Sequence, residues 1–360
     1  MTARAFLAGA LTVALMLGFT PASAQTPPVA CTDDVDEAIP FSVTVEGEEA
    51  TGHYALPDTA PVGLVTFAHG YGHTSASWTE HLRNAARDLG VIALAMDYRG
   101  THILPRDGDV PTSRGWRVAE GAVDTITAAQ QFEAACPGLG TITNFGVSMG
   151  GNASGLAQAQ GAKRADGTTP LFDYWINVEG AANVIETYFE ARVLAPANTT
   201  AANAVADIEE AFGGTFEQVP DVYRERAVVT RADDIAASGV KGVLVIHGVD
   251  DGLVPPNQSR ELVTALRAAG VRTEMVTIAL RDEDTESDTT ITGYAAGQVD
   301  PDYRSPFVGH ASERSTTHVI MREALGRLGA LYRDGGQPIC DGERYVDPVN
   351  NEDVFVCDAS

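Results

Sequence analysis

Apolar and strand-forming residues along this chain gather into short runs, separated by stretches in which apolar positions recur every three or four residues. Val62 to Ala68, Val91 to Met96, Thr141 to Phe145, Phe172 to Val178 and Lys241 to Ile246 are such runs. Their length and continuity predict buried strands of a parallel sheet covered on both faces. Ser75 to Leu89 instead places Trp78, Leu82, Ala85 and Leu89 along one helical face and stops at Gly90. Val118 to Ala135, Asn152 to Gln160, Asn257 to Ala269 and Ser315 to Tyr332 read as further helices, and Thr273 to Leu280 as the last strand. Near the start, Phe41 to Val45 and His53 to Leu56 flank the polar stretch Glu46 to Thr51, the pattern of an antiparallel hairpin at a sheet edge. Asp97 to Trp116 reads as a long loop. Strand and helix in alternation predict an α/β fold, with a mostly parallel central sheet and helices on both faces.

One block interrupts the rhythm. Between Ala181 and Asp234 the chain has helical pieces, Val184 to Val193 and Ala201 to Phe212, with Gly213-Gly214 and Pro220 as breaks and no strong strand. A helical insertion here would stand where a lid shapes a pocket and excludes water; an insertion without function is the alternative. The expected organisation is a leader at residues 1–24, a catalytic domain at 25–335 with the lid at about 181–234, and a C-terminal tail at 336–360.

The leader changes the picture of where the chain works. Arg4 precedes the apolar run Ala5 to Phe19, and Pro21-Ala22-Ser23-Ala24-Gln25 supplies small residues for cleavage after Ala24. This is the pattern of a secretory signal peptide; the run is shorter than the roughly 20 residues a membrane anchor needs. A secreted or periplasmic protein without membrane insertion is expected. Its four cysteines, Cys31, Cys136, Cys340 and Cys357, then permit three pairings. Proximity favours Cys340 with Cys357, which leaves Cys31 with Cys136. The formal net charge of -25 argues against nucleic acid or anionic membrane as a partner. The acidic run Asp282 to Asp288 reads as a solvated loop, since it lacks the spacing of a calcium loop.

The chemistry is carried by Asn144-Phe145-Gly146-Val147-Ser148-Met149-Gly150-Gly151. A serine bracketed by glycines, with a strand before it and a helix after it, forms a sharp turn that exposes the hydroxyl at the sheet edge. A bare glycine-serine-glycine spacing arises by chance in a chain with 36 glycines, so the strand-helix setting is what makes Ser148 a candidate nucleophile. Phe67-Ala68-His69-Gly70-Tyr71-Gly72 ends an earlier strand, where a tetrahedral intermediate needs amide donors. The backbone N–H groups of Tyr71 and Met149 are the expected oxyanion hole. Ile246-His247-Gly248-Val249-Asp250-Asp251-Gly252-Leu253-Val254-Pro255 ends a later strand in two carboxylates. Asp251 is the expected partner of the base, with Glu179 the alternative and His247 a structural residue. His310, in the loop before the last helix, is the expected base; His318 is its rival inside that helix. His53, His73, His81 and His102 read as surface or packing residues, with His73 near the oxyanion loop.

The order Ser148, Asp251, His310, with the Gly-Val-Ser-Met-Gly-Gly elbow, the His-Gly-Tyr-Gly loop and the His-Gly-Val-Asp-Asp-Gly-Leu-Val-Pro stretch, resembles the α/β-hydrolase superfamily over about residues 41 to 335. Asp221-Val222-Tyr223-Arg224-Glu225-Arg226, with Asn257-Gln258-Ser259 opening the next helix, is similar to the catalytic domain of prolyl-oligopeptidase-type serine peptidases. The chain departs from those peptidases in having no room for a β-propeller before the core, and in carrying Met149 where many have an aromatic residue. The resemblance implies an α/β-hydrolase fold, a Ser-His-Asp triad and no cofactor. The first expectation is a secreted carboxylic-ester hydrolase acting on a small ester; the second is a peptidase acting on short peptides. A non-catalytic binding protein on the same fold is the third, and oligomeric state stays open.

Overall fold

The computed structural model describes residues 30–34, 36–104, 111–280, 309–333, 339–348 and 350–357. The expected leader and the acidic run at 282–288 lie outside the described residues. One ten-stranded sheet forms the centre. It opens with the antiparallel hairpin β1 (Ile39–Val45) and β2 (Glu48–Ala55), which joins β4 (Val91–Met96) antiparallel. From there β4, β3 (Gly63–Ala68), β7 (Thr141–Val147), β8 (Tyr174–Val178), β9 (Gly242–Gly248) and β10 (Thr273–Ile278) run parallel to one another.

The apolar runs become central strands because both faces of the sheet are covered. Leu64, Ala68, Ile92, Leu94 and Ile142 point into one core, which they share with Ile126 and Phe132 of α2 (Val118–Ala135), Ala153 and Leu156 of α3 (Met149–Ala159) and Leu262 and Leu266 of α8 (Pro256–Ala268). Val65, Phe67, Ala93, Phe145 and Ile246 point the other way, onto Leu82 and Ala85 of α1 (Thr79–Leu89) and Ile320 and Leu328 of α9 (Val319–Tyr332). Successive residues of a strand thus serve opposite layers. Helix α1 stops where expected, at Gly90, whose φ of 66° provides the left-handed cap.

Four features differ from the sequence reading. The loop after β4 contains a small antiparallel pair, β5 (His102–Leu104) and β6 (Thr112–Arg114). The inserted block holds four helices and not two: α4 (Val184–Leu194), α5 (Thr199–Phe212), α6 (Pro220–Arg226) and α7 (Ala232–Ser238). Pro220, read as a break, is the first residue of α6, where a missing N–H costs nothing. The sheet does not end at Leu280. Strand β11 (Gly342–Asp347) pairs parallel with β10, and β12 (Glu352–Cys357) closes the edge antiparallel. The hairpin is nearly bare on its outer strand, with Val354, Phe355 and Val356 all exposed.

Two disulfides follow the expected pairing, Cys31 with Cys136 and Cys340 with Cys357. The first closes across 105 residues and fastens the segment before β1 to the end of α2; the second closes across 17 and braces the β11–β12 hairpin. No helix among the described residues is long and apolar enough to cross a membrane.

Close packing at the turn between β7 and α3 depends on absent side chains. A Cβ on Gly150 would overlap the Ala68 carbonyl oxygen of β3, and one on Gly146 would overlap the Gly150 carbonyl oxygen and Ser154 Oγ. Backbone atoms on both sides cannot yield without moving the sheet. Gly150→Ala is therefore expected to destabilise the protein by about 3 kcal/mol or more, as overpacking a rigid core does; denaturant unfolding of the variant against the parent checks this.

Candidate active site

The rim formed by the carboxyl ends of β3, β7, β8 and β9 gathers the residues singled out by the sequence. Ser148 leaves β7 at φ 57° and ψ -125°, and α3 begins at the next residue. For a residue with a Cβ this backbone conformation costs on the order of 1–3 kcal/mol, and it persists because neighbours hold it. Ser148 N–H donates to Val178 O at 3.0 Å, and Ser148 O accepts from Gly151 N at 2.9 Å and Ala181 N at 3.1 Å. The turn is thereby tied to β8 and to the start of the inserted block. Met149, the residue after the serine, is buried at the amino end of α3, where helix N–H groups favour developing negative charge.

The loop after β3 lies against this turn. A Cβ built on Gly70 would sit 3.3 Å from Ser148 Cβ and 3.2 Å from Glu313 Oε2, so a side chain there would be tight against both. Tyr71 follows, half-buried, with its ring 5.7 Å from Trp116. Its hydroxyl donates to Asp207 Oδ2 of α5 at 2.5 Å. Asp207 is buried and also accepts from Arg114 Nε at 2.7 Å, Arg114 Nη2 at 2.8 Å and Gly115 N at 3.1 Å. Burial alone would raise the Asp207 carboxyl, but the bonds from Arg114 and Tyr71 outweigh it and hold it below its ordinary value. One carboxylate on the inserted helix thus fixes both the loop after β3 and the β5–β6 segment.

The structure brings His310 and Asp251 together. His310 Nδ1 lies 2.7 Å from Asp251 Oδ2, and both side chains are buried. The other oxygen, Oδ1, accepts from Leu253 N at 2.9 Å and Val254 N at 3.0 Å in the turn after β9. Burial pushes the Asp251 carboxyl upward, yet the His310 and His247 rings overcome it and hold the group well below the usual carboxylate range. With Nδ1–H donated to Asp251, the imidazole presents Nε2 as its basic atom.

Both ring nitrogens of His247 are held within the fold. Its Nδ1 lies 2.6 Å from Ser259 Oγ, its Nε2 donates to Val254 O at 2.8 Å, and it is fully buried. His318 is not inside a helix. It precedes α9 as the cap, with Nδ1 accepting from Ile320 N at 3.3 Å, which commits the ring to the helix start. Glu179, Asp251 and His247 bring ligand-type atoms within 4.8 Å of one another. Both His247 nitrogens are engaged in hydrogen bonds, and so are both oxygens of Asp251 and of Glu179. The donor set therefore fits a hydrogen-bond network and not a metal centre.

Sequence reasoning passed over Glu313. It lies three residues beyond His310, is 2% exposed, and accepts from Gly70 N at 2.8 Å through Oε1. The same oxygen lies 2.5 Å from His73 Nδ1. Burial would raise the Glu313 carboxyl, but His73 and the Gly70 amide outweigh it and bring it down to about 2. Glu313 therefore joins the His310 segment to the glycine packed on Ser148. A lone acid in a short polar loop carries no periodicity or motif, so nothing in the sequence marked it. His73 stands in the loop after β3, against Glu313. His53 meets Ser75 Oγ at 2.8 Å, His81 is buried in packing, and His102 is exposed.

Comparison with known proteins agrees with this architecture. A model described as the prolyl oligopeptidase family matches residues 76–282, which include Ser148 and Asp251. Among solved structures, a puromycin hydrolase is similar with 19% identity and a TM-score of 0.53, over 85% of this chain and 41% of that one. The uncomplexed Pyrococcus horikoshii acylaminoacyl peptidase gives 17% identity and 0.51, over 81% and 41%. A Mycobacterium tuberculosis puromycin-hydrolyzing peptidase gives 16% and 0.50, over 87% and 42%. The likeness at these identities is one of fold, and the chain spans about two fifths of the length of those proteins.

The lowered Glu313 carboxyl ties stability to pH. Its folded value lies below its unfolded one, so its contribution is complete above the unfolded value and fades as pH falls toward about 2. Glu313→Gln is expected to cost on the order of 3 kcal/mol at neutral pH, with the gap to the parent closing between about pH 5 and pH 2. Denaturant unfolding of both proteins across that range measures it.

Proposed function

This chain belongs to the prolyl oligopeptidase family of serine hydrolases, and on that footing we propose that it is an exported enzyme cleaving carboxylic esters through Ser148, His310 and Asp251. The observation that carries the reading is the buried 2.7 Å contact between His310 Nδ1 and Asp251 Oδ2, at the same sheet rim as the strained Ser148. Asp251 fixes the ring so that Nε2 takes the proton from Ser148 Oγ as the oxygen attacks the acyl carbon. The charge that develops on the carbonyl oxygen is received by the amides of Tyr71 and Met149. His310 returns the proton to the leaving alcohol, whose departure leaves an acyl-serine. Water, activated by the same ring, then releases the acid. The helices between β8 and β9 act as the lid, with Asp207 linking α5 to Tyr71 of the oxyanion loop.

A small ester is the first substrate class. Cleavage of short peptides is the second, and family membership is what supports it. The export pattern of residues 1–24 and the two disulfides support an extracellular or periplasmic site of action.

Ser148→Ala is expected to lower kcat/KM on short-acyl nitrophenyl esters by about 10⁴-fold or more, and Asp251→Asn by about 10⁴-fold through loss of the correct tautomer. Rates on simple esters and aminoacyl anilides measured side by side separate the two substrate classes. Failure of a fluorophosphonate to label the purified protein would overturn the hydrolase mechanism.

A further inference from the structure

Glu179 is a buried acid at the site that the proposed proton path leaves unused, and it is the one that lies against His310. It follows the last residue of β8, is fully buried, and holds φ at 47°, a left-handed conformation that a residue with a Cβ seldom adopts. Its N–H donates to Ile246 O at 2.9 Å, which locks the strained residue to β9. Its carboxylate spans two further segments, with Oε1 accepting from Gly248 N at 3.1 Å and Oε2 from Ala311 N at 2.7 Å. Ala311 is the neighbour of His310 in the chain. Oε2 also lies 3.6 Å from His310 Nδ1.

The imidazole is thus faced by two carboxylates at unequal distance. Asp251, from the turn after β9, makes the direct contact; Glu179, from the end of β8, stands behind it and braces the backbone on either side. Among the described residues the further titratable neighbour is His247 of β9, whose Nε2 lies 3.2 Å from Asp251 Oδ2. Neutral bracing of two amides does not call for an acid in a dry site, because a buried charge there is costly. An acid is called for where a cation is to be formed. An ionised carboxylate within about 4–6 Å of an imidazole favours its protonated form.

We propose that Glu179 is a positioning residue for the reaction read above: it anchors the loop that carries His310 and raises the basicity of that ring as a second, more distant counter-charge behind Asp251. The inference rests on His310 being the general base. Burial and the nearby Asp251 carboxylate bring Glu179 up to about 7, so its charge changes where an active-site histidine also titrates. The two groups then ionise as a coupled pair.

The sign of the effect follows. The base works as neutral imidazole, and an ionised Glu179 makes that form surrender to the imidazolium at higher pH. Removing the charge lets the neutral ring persist into more acid solution. In Glu179→Gln the acid limb of the kcat/KM profile is expected to move down by about one pH unit. A limb that stays in place or moves up, whatever the change in kcat, would overturn the proposal, since lost bracing alone lowers rate without moving the limb. Should Glu179→Gln fail to fold, ¹⁵N-histidine NMR of the full-length parent protein decides: His310 is expected to titrate in two steps, and a single step overturns the proposal. Parent activity that Ser148→Ala abolishes tests the hydrolase reading separately, so the two inferences fail by different results.

Discussion

Three buried carboxylates bonded to backbone amides hold the working rim of this sheet together. Asp251 receives the amides of Leu253 and Val254, Glu179 those of Gly248 and Ala311, and Glu313 that of Gly70. A negative charge in a dry site is tolerated only where donors surround it, and loops at the ends of parallel strands have amides that the sheet leaves free. Each side therefore solves the other's difficulty. The acids acquire donors, and loops from β3, β8, β9 and the segment before α9 acquire fixed positions. The histidines enter the same arrangement, since His310, His247 and His73 each lie against one of these acids.

The strain at Ser148 belongs with that constraint. A serine held at φ 57° would relax if the segments around it could shift, and its carbonyl is gripped by Gly151 and Ala181. Glu179 carries a second unfavourable φ one strand away. Two such residues on adjacent strand ends fit a rim whose geometry is set by its chemistry and stabilised from elsewhere, by the two apolar layers beneath.

Much of this was legible in the sequence, for identifiable reasons. Central strands announced themselves because burial on both faces demands unbroken apolar runs, and α2 was readable to its ends. Ser148 lies between Gly146 and Gly150 where β7 gives way to α3, and Asp251 and His310 each adjoin a glycine, so turn chemistry marked all three. What escaped lacked such signals. Strand β11 mixes charged with apolar residues, and β12, which carries Val354-Phe355-Val356, is exposed along its length, so neither reads as a strand buried on both faces. Strands β5 and β6 have three residues each. His318 sits at a helix boundary, the least readable part of an element. Glu313 depends on contacts between residues 243 positions apart, which no local pattern encodes.

The bridge between Cys31 and Cys136 encloses the hairpin, β3, β4, α1 and α2 in one covalent loop. Its main action falls on the denatured chain, whose wandering it curtails. For a ring of roughly one hundred residues the chain-entropy account puts the gain at about 4–5 kcal/mol. That is comparable to the entire margin by which many domains stay native. In surroundings that keep thiols reduced the molecule would forgo this tether, so the half of the sheet that carries the loop after β3 draws part of its endurance from the redox state of its environment.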